Sequence, residues 1–462
     1  MPSPDAASRT LFDILWSRHV VREEANGKTL LYIDRTVIDD VRAPFVFANM
    51  KRRDLNIRHP ELALLVQDHA VATFPNISNP RIEFAEATRN AAREFGLRLF
   101  DVGAPSQGIS HVAAPESGFV IPGASYISVD SHAPTVGGIG ALGFGCGSTE
   151  MEHVLATQCV WMQRPKQARL TLTGGLATGV TAKDIVLRAL AVFGRETFAG
   201  MALEFAGAAS LLSVEARMTL CNMAVEMGAR TALVAPDDSV IDWIEARAGI
   251  HLASELRDAQ AVSSLCSGAS AVFDLDVTLE CPDAPQITWG TSPAQVMAID
   301  GVTPRGEDAT TTRALAYMDL APDTPLLGKK VDYVFIGSCT NARFDDLEAA
   351  ANILRGRHVA DGVRAVVVPG SRAVERQAAA SGIKDIFIAS GFVWGETGCS
   401  MCAGGGERIA SGSRVVSTTN RNFENRQGPD VRTHLASPLT AAAAAIAGAI
   451  CDPRSLMNGK SQ

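Results

Sequence analysis

A strand, a glycine and a cysteine follow one another in residues 331–341, Val-Asp-Tyr-Val-Phe-Ile-Gly-Ser-Cys-Thr-Asn. The run Val331–Gly337 is short and mainly apolar, which is typical of a strand buried in a parallel sheet. Similar runs follow at Val363–Val368 and Ile386–Ala389. Helical patterns separate the three runs, over Asp345–Arg355 and Ala373–Ala380. This succession predicts a parallel β-α-β-α-β arrangement in the C-terminal third of the chain.

The rest of the chain alternates in the same way between strand-like and helical patterns. Strands are predicted at 29–40, 124–129 and 168–174, and helices at 149–162, 185–192 and 214–227. Capping residues support two of the helices, because Thr181 and Asp184 resemble a capping box and Ser213 precedes the last helix. The sequence therefore predicts an α/β fold with mainly parallel sheets.

The length of the chain predicts more than one domain. A chain of 462 residues and 48.8 kDa exceeds what one ordinary hydrophobic core supports. The pattern breaks at Gln163–Lys166 and again in the Pro-rich segment Cys281–Pro293. We therefore predict three α/β domains, at residues 1–165, 166–290 and 291–462.

The composition excludes several classes of protein. With 47% apolar and 20% charged residues, the chain is neither disordered nor collagen-like nor a coiled coil. Its net charge of −8 disfavours a nucleic-acid-binding groove. Neither a signal peptide nor a membrane segment is predicted, since the apolar stretch Leu439–Ile450 is short and alanine-rich and indicates a packed helix. We expect a cytoplasmic protein with reduced cysteines.

Three cysteines carry the strongest chemical signal. Cys339 directly follows the strand Val331–Gly337, and Cys399 and Cys402 follow the run Ile386–Ala389. Residues after parallel strands converge on one crevice, and three thiolates suit an iron–sulfur cluster that leaves one iron open as a Lewis acid. A zinc half-site or a redox pair remains an alternative for Cys-x-x-Cys taken alone. The other six cysteines are predicted to be core residues: Cys146, Cys159, Cys221, Cys266, Cys281 and Cys451.

Histidines and carboxylates form a second signal. The residues that could transfer protons near neutral pH are Asp68, His69, His111, Asp130, His132 and Glu226. The amide of Asn222 lies on the same predicted helix as Glu226. Each of them alone is more often structural. Asn222 and Glu226 lie four residues apart and therefore share a helix face.

Two further motifs, one rich in arginine and one rich in glycine, have both a functional and a structural explanation. Arg421 and Arg426 lie in the polar segment 420–426 and could bind two carboxylates, although a solvated surface turn is the favoured explanation of such a segment taken alone. Residues 138–143 match Gly-x-Gly-x-x-Gly, but they do not directly follow a strand and they lie inside a longer glycine run. We therefore predict close backbone packing there and reject a dinucleotide site.

The chain resembles the aconitase superfamily, and within it the large-subunit family of isopropylmalate dehydratases. The resemblance extends over about residues 10–450. Six segments carry it in the same order: Val129–Gly147, Val180–Leu190, Arg217–Ala229, Phe335–Leu347, Gly398–Cys402 and Ser417–Gly428. It implies three similar α/β domains around a central crevice that binds one [4Fe-4S] cluster. The implied cluster ligands are Cys339, Cys399 and Cys402, and the fourth iron stays open to substrate.

The resemblance also implies roles for the remaining candidates. Asp68 and His69 would handle the proton of the departing hydroxyl, while His111 with Asp130 and His132 with Glu226 would form two further pairs. Four residues would lie near substrate or cluster: Asn222, Asn420, Arg421 and Arg426. A separate small subunit, equivalent to the swivelling fourth domain, would supply the serine that removes the α-proton. The expected reaction is the interconversion of 2-isopropylmalate and 3-isopropylmalate through a cis-alkene, as in leucine biosynthesis.

Departures from the family pattern keep two alternatives open. They lie at Ala70, Val129, Ala133, Ala342, Asn425 and Gly404–Gly406. A related hydro-lyase could act on another small diacid of the methylmalate, dimethylmalate or maleate type. A relative that binds RNA without catalysis is the second alternative, which the acidic net charge disfavours.

Overall fold

A computed structural model describes residues 6–75, 82–249, 251–252, 262, 264–403 and 406–457. The chain divides into two compact units, each built from several segments. Unit 1 comprises residues 1–70, 80–173 and 196–280, and unit 2 comprises residues 71–79, 174–195 and 281–462. The three predicted domains at 1–165, 166–290 and 291–462 stay a prediction.

The strands are β1 (Val20–Glu23), β2 (Lys28–Tyr32), β3 (Arg35–Asp39), β4 (Ala63–Val66), β5 (Arg98–Phe100), β6 (Ser125–Ser128), β7 (Leu142–Gly145), β8 (Cys159–Gln163), β9 (Gln167–Thr173), β10 (Ala202–Gly207), β11 (Thr231–Val234), β12 (Leu275–Glu280), β13 (Gln286–Thr288), β14 (Val296–Ala298), β15 (Tyr333–Ile336), β16 (Arg364–Val367), β17 (Val393–Trp394), β18 (Arg414–Ser417) and β19 (Arg432–Leu435).

The α-helices within the described ranges are α1 (Leu11–His19), α2 (Ala43–Arg52), α3 (Ile82–Phe95), α4 (Ser110–Glu116), α5 (Ser148–Thr157), α6 (Ala182–Phe193), α7 (Val214–Ala224), α8 (Asp238–Ala248), α9 (Ala309–Met318), α10 (Phe344–Leu354), α11 (Arg372–Ala380), α12 (Ile383–Ala389), α13 (Pro438–Ala447) and α14 (Arg454–Met457). None of these helices has the length and apolar character that a membrane span requires.

Three parallel sheets share one strand order. In unit 1 the orders are β5-β4-β3-β6-β7 and β11-β10-β9-β12, and in unit 2 the order is β17-β16-β15-β18-β19. In each sheet the second and third strands along the chain lie on one side of the first strand, and the later strands lie on its other side. Two smaller antiparallel sheets, β1-β2-β8 and β13-β14, complete the described sheets. The predicted α/β fold with mainly parallel sheets is confirmed.

This strand order determines where ligands can be bound. In open parallel sheets, binding sites lie beyond the carboxyl ends of the strands at the point where the strand order reverses. In the first sheet of unit 1, that point lies between β3 and β6, and in the five-stranded sheet of unit 2 it lies between β15 and β18. All four residues of β15 are buried, as expected for a central strand covered on both faces.

The prediction of a strand at Ile386–Ala389 is wrong, because this segment belongs to helix α12. Gly382 precedes the helix in a left-handed conformation, and Ile383 and Phe387 are buried one helical turn apart, whereas Ile388 is 51% exposed. A four-residue apolar run cannot distinguish the two periodicities. The parallel strand at the sheet edge is β17, four residues further on.

The predicted helix at 149–162 is too long. Helix α5 ends at Thr157, because Gln158 adopts a left-handed conformation with φ of 62°. The next residues form β8, in which Val160 and Met162 are buried while Trp161 is partly exposed. This alternation is typical of a strand, and β8 pairs with β2.

Close backbone packing explains the glycine run, as predicted. A Cβ atom on Gly137 would lie 1.7 Å from the carbonyl oxygen of Ala232, and one on Gly138 would lie 2.4 Å from the nitrogen of Met218. Only glycine fits at such contacts, which hold helix α7 and strand β11 against this turn. The predicted packed helix near the C-terminus is also confirmed, since Pro438–Ala445 of α13 are buried.

Candidate active site

Three histidines surround one carboxylate in unit 1. Asp130 follows β6, and its Oδ1 lies 2.9 Å from Nε2 of His111 and 3.4 Å from Nδ1 of His132. Its Oδ2 lies 3.2 Å from Nε2 of His69. The other ring nitrogen of His69 lies 2.7 Å from Oδ1 of Asp68, a fully buried residue that follows β4. We call these five residues the histidine–carboxylate cluster.

The cluster continues through His132 to a second carboxylate. Nε2 of His132 lies 3.1 Å from Oε1 of Glu226, and both side chains are buried. Glu226 lies in the short 3-10 turn that extends helix α7. Asn222, one turn earlier, is fully buried and donates from its amide to the hydroxyl of Thr135 at 2.9 Å. The structure thus places Asn222 and Glu226 on one side of α7, and Glu226 contacts His132 of the cluster.

Two further carboxylates at the end of β3 were missed by the sequence analysis. Asp40 accepts hydrogen bonds from the backbone N–H groups of His69 and Ala70, at 3.1 and 2.9 Å. The ligand atoms of Asp39, Asp40 and His69 all lie within 4.8 Å of one another. The sequence does show an acidic pair at the end of a predicted strand. It does not show which strands are neighbours, and only that arrangement brings the pair close to His69.

The pKa values of the carboxyl groups in and beside the histidine–carboxylate cluster are shifted in opposite directions. Burial opposes ionisation of Asp130, but His111 and the hydrogen bonds from three imidazoles outweigh it and hold the pKa of Asp130 well below its usual range. Burial, followed by the neighbouring Asp68, raises the pKa of Asp40 to about 7. Burial also raises the pKa of Asp39. Acidic and basic partners of a proton transfer are recognised by such opposite shifts.

A cysteine site lies at the strand ends of unit 2 and comprises Cys339, Cys399, Cys402 and Asn420. Cys339 follows β15. Cys399 precedes a 3-10 turn that ends at Cys402 and in which Ser400 has a φ of 50°. Asn420 follows β18, and its amide lies 3.5 Å from Sγ of Cys339 and 3.6 Å from Sγ of Cys402. One amide therefore contacts the sulfurs of two separate segments.

The predicted arginine loop adjoins the same site. The guanidinium of Arg426 donates to the carbonyl oxygen of Cys402 at 2.7 Å. Arg421 directly follows Asn420 and is partly exposed. Asn425, where the family pattern has glycine, adopts a φ of 64°, which asparagine tolerates better than other side chains do. Asparagine in place of glycine is therefore compatible with the left-handed backbone conformation at this position of the loop.

The donor set fits a multinuclear cluster better than a single ion. Zinc would bring thiolates to about 2.3 Å from one point, so that several ligand atoms would crowd together. In the described part of the chain, no group of three ligand atoms within 4.8 Å contains two cysteines. Cys339 and Cys402 instead contact the nitrogen and the oxygen of one amide, and a cluster in which each thiolate binds a different iron fits such a donor set. No disulfide joins any of the nine cysteines, all of which are described.

Ala70 and Asn425 differ from the family pattern in their side chains. The contact of Ala70 with Asp40 is made by its main-chain N–H and does not depend on the side chain. Gly404 and Gly405, part of the departure after Cys402, lie outside the described residues.

The fold agrees with the comparisons with known proteins. The family model for the aconitase family (aconitate hydratase) matches residues 13–448. The chain therefore belongs to the aconitase family, a family of iron–sulfur hydro-lyases, as the sequence predicted. Among its relatives is 3-isopropylmalate dehydratase large subunit 1 of Bradyrhizobium diazoefficiens. The two are 45% identical over 466 residues, which cover 98% of each chain.

Proposed function

We propose that the chain is the large subunit of a hydro-lyase that interconverts 2-isopropylmalate and 3-isopropylmalate. The carrying observation is the histidine–carboxylate cluster, because three imidazoles contact Asp130 and two of them also contact a second carboxylate. Dehydration requires a proton to be delivered to a poor leaving group, and this is the arrangement that supplies one near neutral pH. The 45% sequence identity to an isopropylmalate dehydratase large subunit supports isopropylmalate as the substrate.

The residues of the cluster have distinct proposed roles. Asp68 fixes the ring of His69 through Nδ1, which leaves Nε2 to hold or release a proton. Asp130 stays ionised and stabilises whichever imidazole is charged. Nδ1 of His111 is buried and has no hydrogen-bond partner among the described residues. His111 therefore acts through Nε2 on Asp130 in the proposed proton path.

The cysteine site is proposed to hold one [4Fe-4S] cluster through Cys339, Cys399 and Cys402. When bound, the cluster supplies an open iron that acts as a Lewis acid towards a hydroxyl or carboxylate. Asn420 orients two of the ligands, and Arg421 and Arg426 attract the negative charge of a dicarboxylate to this site.

A separate small subunit is proposed to complete the enzyme, as the term large subunit in the relative's name suggests. The test is co-expression of the chain with a small subunit, anaerobic cluster reconstitution, and measurement of the alkene by ultraviolet absorbance. We expect turnover of isopropylmalate by the pair and none by the reconstituted chain alone. Faster turnover of methylmalate, dimethylmalate or maleate would replace the proposed substrate, and robust turnover by the single chain would exclude the need for a partner.

A further inference from the structure

A completely buried lysine lies in unit 2 next to the cysteine site. Lys183 is the second residue of helix α6 and is 0% exposed. Its Nζ donates to two successive carbonyl oxygens, those of Thr418 at 3.0 Å and Thr419 at 2.7 Å. Its hydrogen bonds among the described residues are to neutral carbonyls, and it forms no ion pair with any carboxylate there. An ammonium group in this position needs a negative charge nearby to offset its lost hydration.

The two carbonyls belong to the segment that carries the cysteine contacts. Thr418 and Thr419 directly precede Asn420, whose amide contacts Cys339 and Cys402. The hydroxyl of Thr418 also bonds with the backbone of Gly337, two residues before Cys339. Lys183 therefore anchors the turn from which the amide reaches both sulfurs.

The charges that face Lys183 point to the same sulfurs. Burial lowers the pKa of Lys183 to about 7, and the groups that oppose this effect are, in order, Asp346, Cys339, Asp184 and Cys402. Both of these carboxyls have other partners. Asp346 accepts from Asn341 and from the backbone of Arg343, and Asp184 accepts from Thr181 and Gln286. Those partners are neutral, so both carboxyls still help to offset the lysine from a distance, but no carboxylate among the described residues pairs with it, and the turn that it anchors leads to the cysteine sulfurs.

We propose that Lys183 is a positioning residue that holds the Thr418–Asn420 turn and supplies positive charge that balances a cysteine-bound iron–sulfur cluster. Three thiolates outweigh the positive charge of a cubane core, so the loaded site is negative and gains from a buried cation. Net charge and hydrogen bonds around the sulfurs set the reduction potential and retention of such clusters. This inference rests on the proposed function, because it requires that the cysteines bind the cluster.

Three variants separate charge from hydrogen bonding. Lys183→Gln removes the charge but keeps N–H donors, Lys183→Met removes both, and Lys183→Arg keeps both. Lys330→Met is the matched control, because this lysine of the same unit is exposed. The midpoint reduction potential and the rate of cluster loss to a chelator are measured anaerobically on the chain complexed with its small subunit. Hydrogen exchange of residues 417–422 is measured on the metal-free chain.

Lys183→Gln and Lys183→Met are expected to shift the potential to more negative values and to weaken cluster binding about 10-fold or more. Lys183→Arg and Lys330→Met should stay close to wild type. Faster exchange at 417–422 is expected in Lys183→Met and less so in Lys183→Gln. A wild-type potential and retention in Lys183→Gln would overturn the charge role, and unchanged exchange in Lys183→Met would overturn the anchoring role. A wild-type chain that binds no cluster would instead refute the proposed function.

Discussion

Replacing Asp40 by asparagine should change how the stability of the protein depends on pH. The Asp40 carboxyl is fully buried beneath His69 and accepts the backbone N–H groups of His69 and Ala70. Burial raises its pKa from 3.8 to about 7. The folded protein therefore binds this proton more tightly than the unfolded chain does. Between those two pH values the unfolded chain is ionised at this position while the folded protein is protonated, so the contribution of Asp40 to stability falls as pH rises.

The size of the effect follows from that difference. At about 1.36 kcal/mol per pH unit, the interval from 3.8 to about 7 corresponds to about 4 kcal/mol, of which about 3 kcal/mol falls between pH 5 and pH 7. Asp40→Asn removes this term. It also leaves one of the two backbone donors without an acceptor, at a pH-independent cost of about 1–3 kcal/mol. The variant should be less stable than wild type at pH 5 and should recover relative to it by pH 8.

The assay is thermal unfolding of wild type and Asp40→Asn at half-unit steps from pH 5 to pH 8. The difference in midpoint should change by roughly 6–12 °C across the series, taking about 2–4 °C per kcal/mol. Asp361→Asn, at an exposed aspartate, is the control and should give a constant difference. Parallel curves for wild type and Asp40→Asn would refute the reasoning, because they would show that Asp40 does not take up its proton on folding.

Three further predictions concern the two sites and the core. Cys402→Ser should lose the brown colour and most of about four iron atoms per chain by metal analysis, whereas Cys451→Ser should keep both. His111→Gln should lower kcat of the two-subunit enzyme by roughly 10²–10⁴ with little change in KM, and an unchanged kcat would remove His111 from the proton path. Burial, followed by Arg414, lowers the pKa of His434 to about 3, so the contribution of His434 to stability should fall by about 1.4 kcal/mol per pH unit as pH drops below 6.5. His434→Gln should flatten that slope in urea unfolding, and an equal slope would contradict the assignment.

Local sequence patterns predicted most elements but failed where two periodicities compete. The strand at 331–337 and the helix after Thr181 follow directly from burial and capping. Ile386–Ala389 is too short to reveal its period, and only the burial of Ile383 and Phe387 on one side identifies a helix. The end of α5 depends on one left-handed residue, Gln158, which no residue-type preference indicates.

The site residues were predictable as types but not as a network. Resemblance paired His111 with Asp130 and His132 with Glu226, and the structure shows these contacts. It does not reveal that Asp130 also contacts His69, because that contact arises where β4 and β6 flank β3 in one sheet. Asp40 and Lys183 were missed for the same reason. Their significance lies in what surrounds them after folding, not in their neighbours along the chain.

The two sites solve opposite electrostatic problems with the same sheet topology. In unit 1, the ends of β3, β4 and β6 bring together more carboxyl groups than the imidazoles can neutralise, so some of those carboxyls must hold protons. In unit 2, the segments after β15 and β18 carry sulfurs and a turn anchored by a buried ammonium, which forms no ion pair with a carboxylate among the described residues. We propose that the first arrangement stores and transfers protons. The second favours an anionic metal cluster, and a hydro-lyase needs both capacities because it must remove a hydroxyl from a substrate that is already negatively charged.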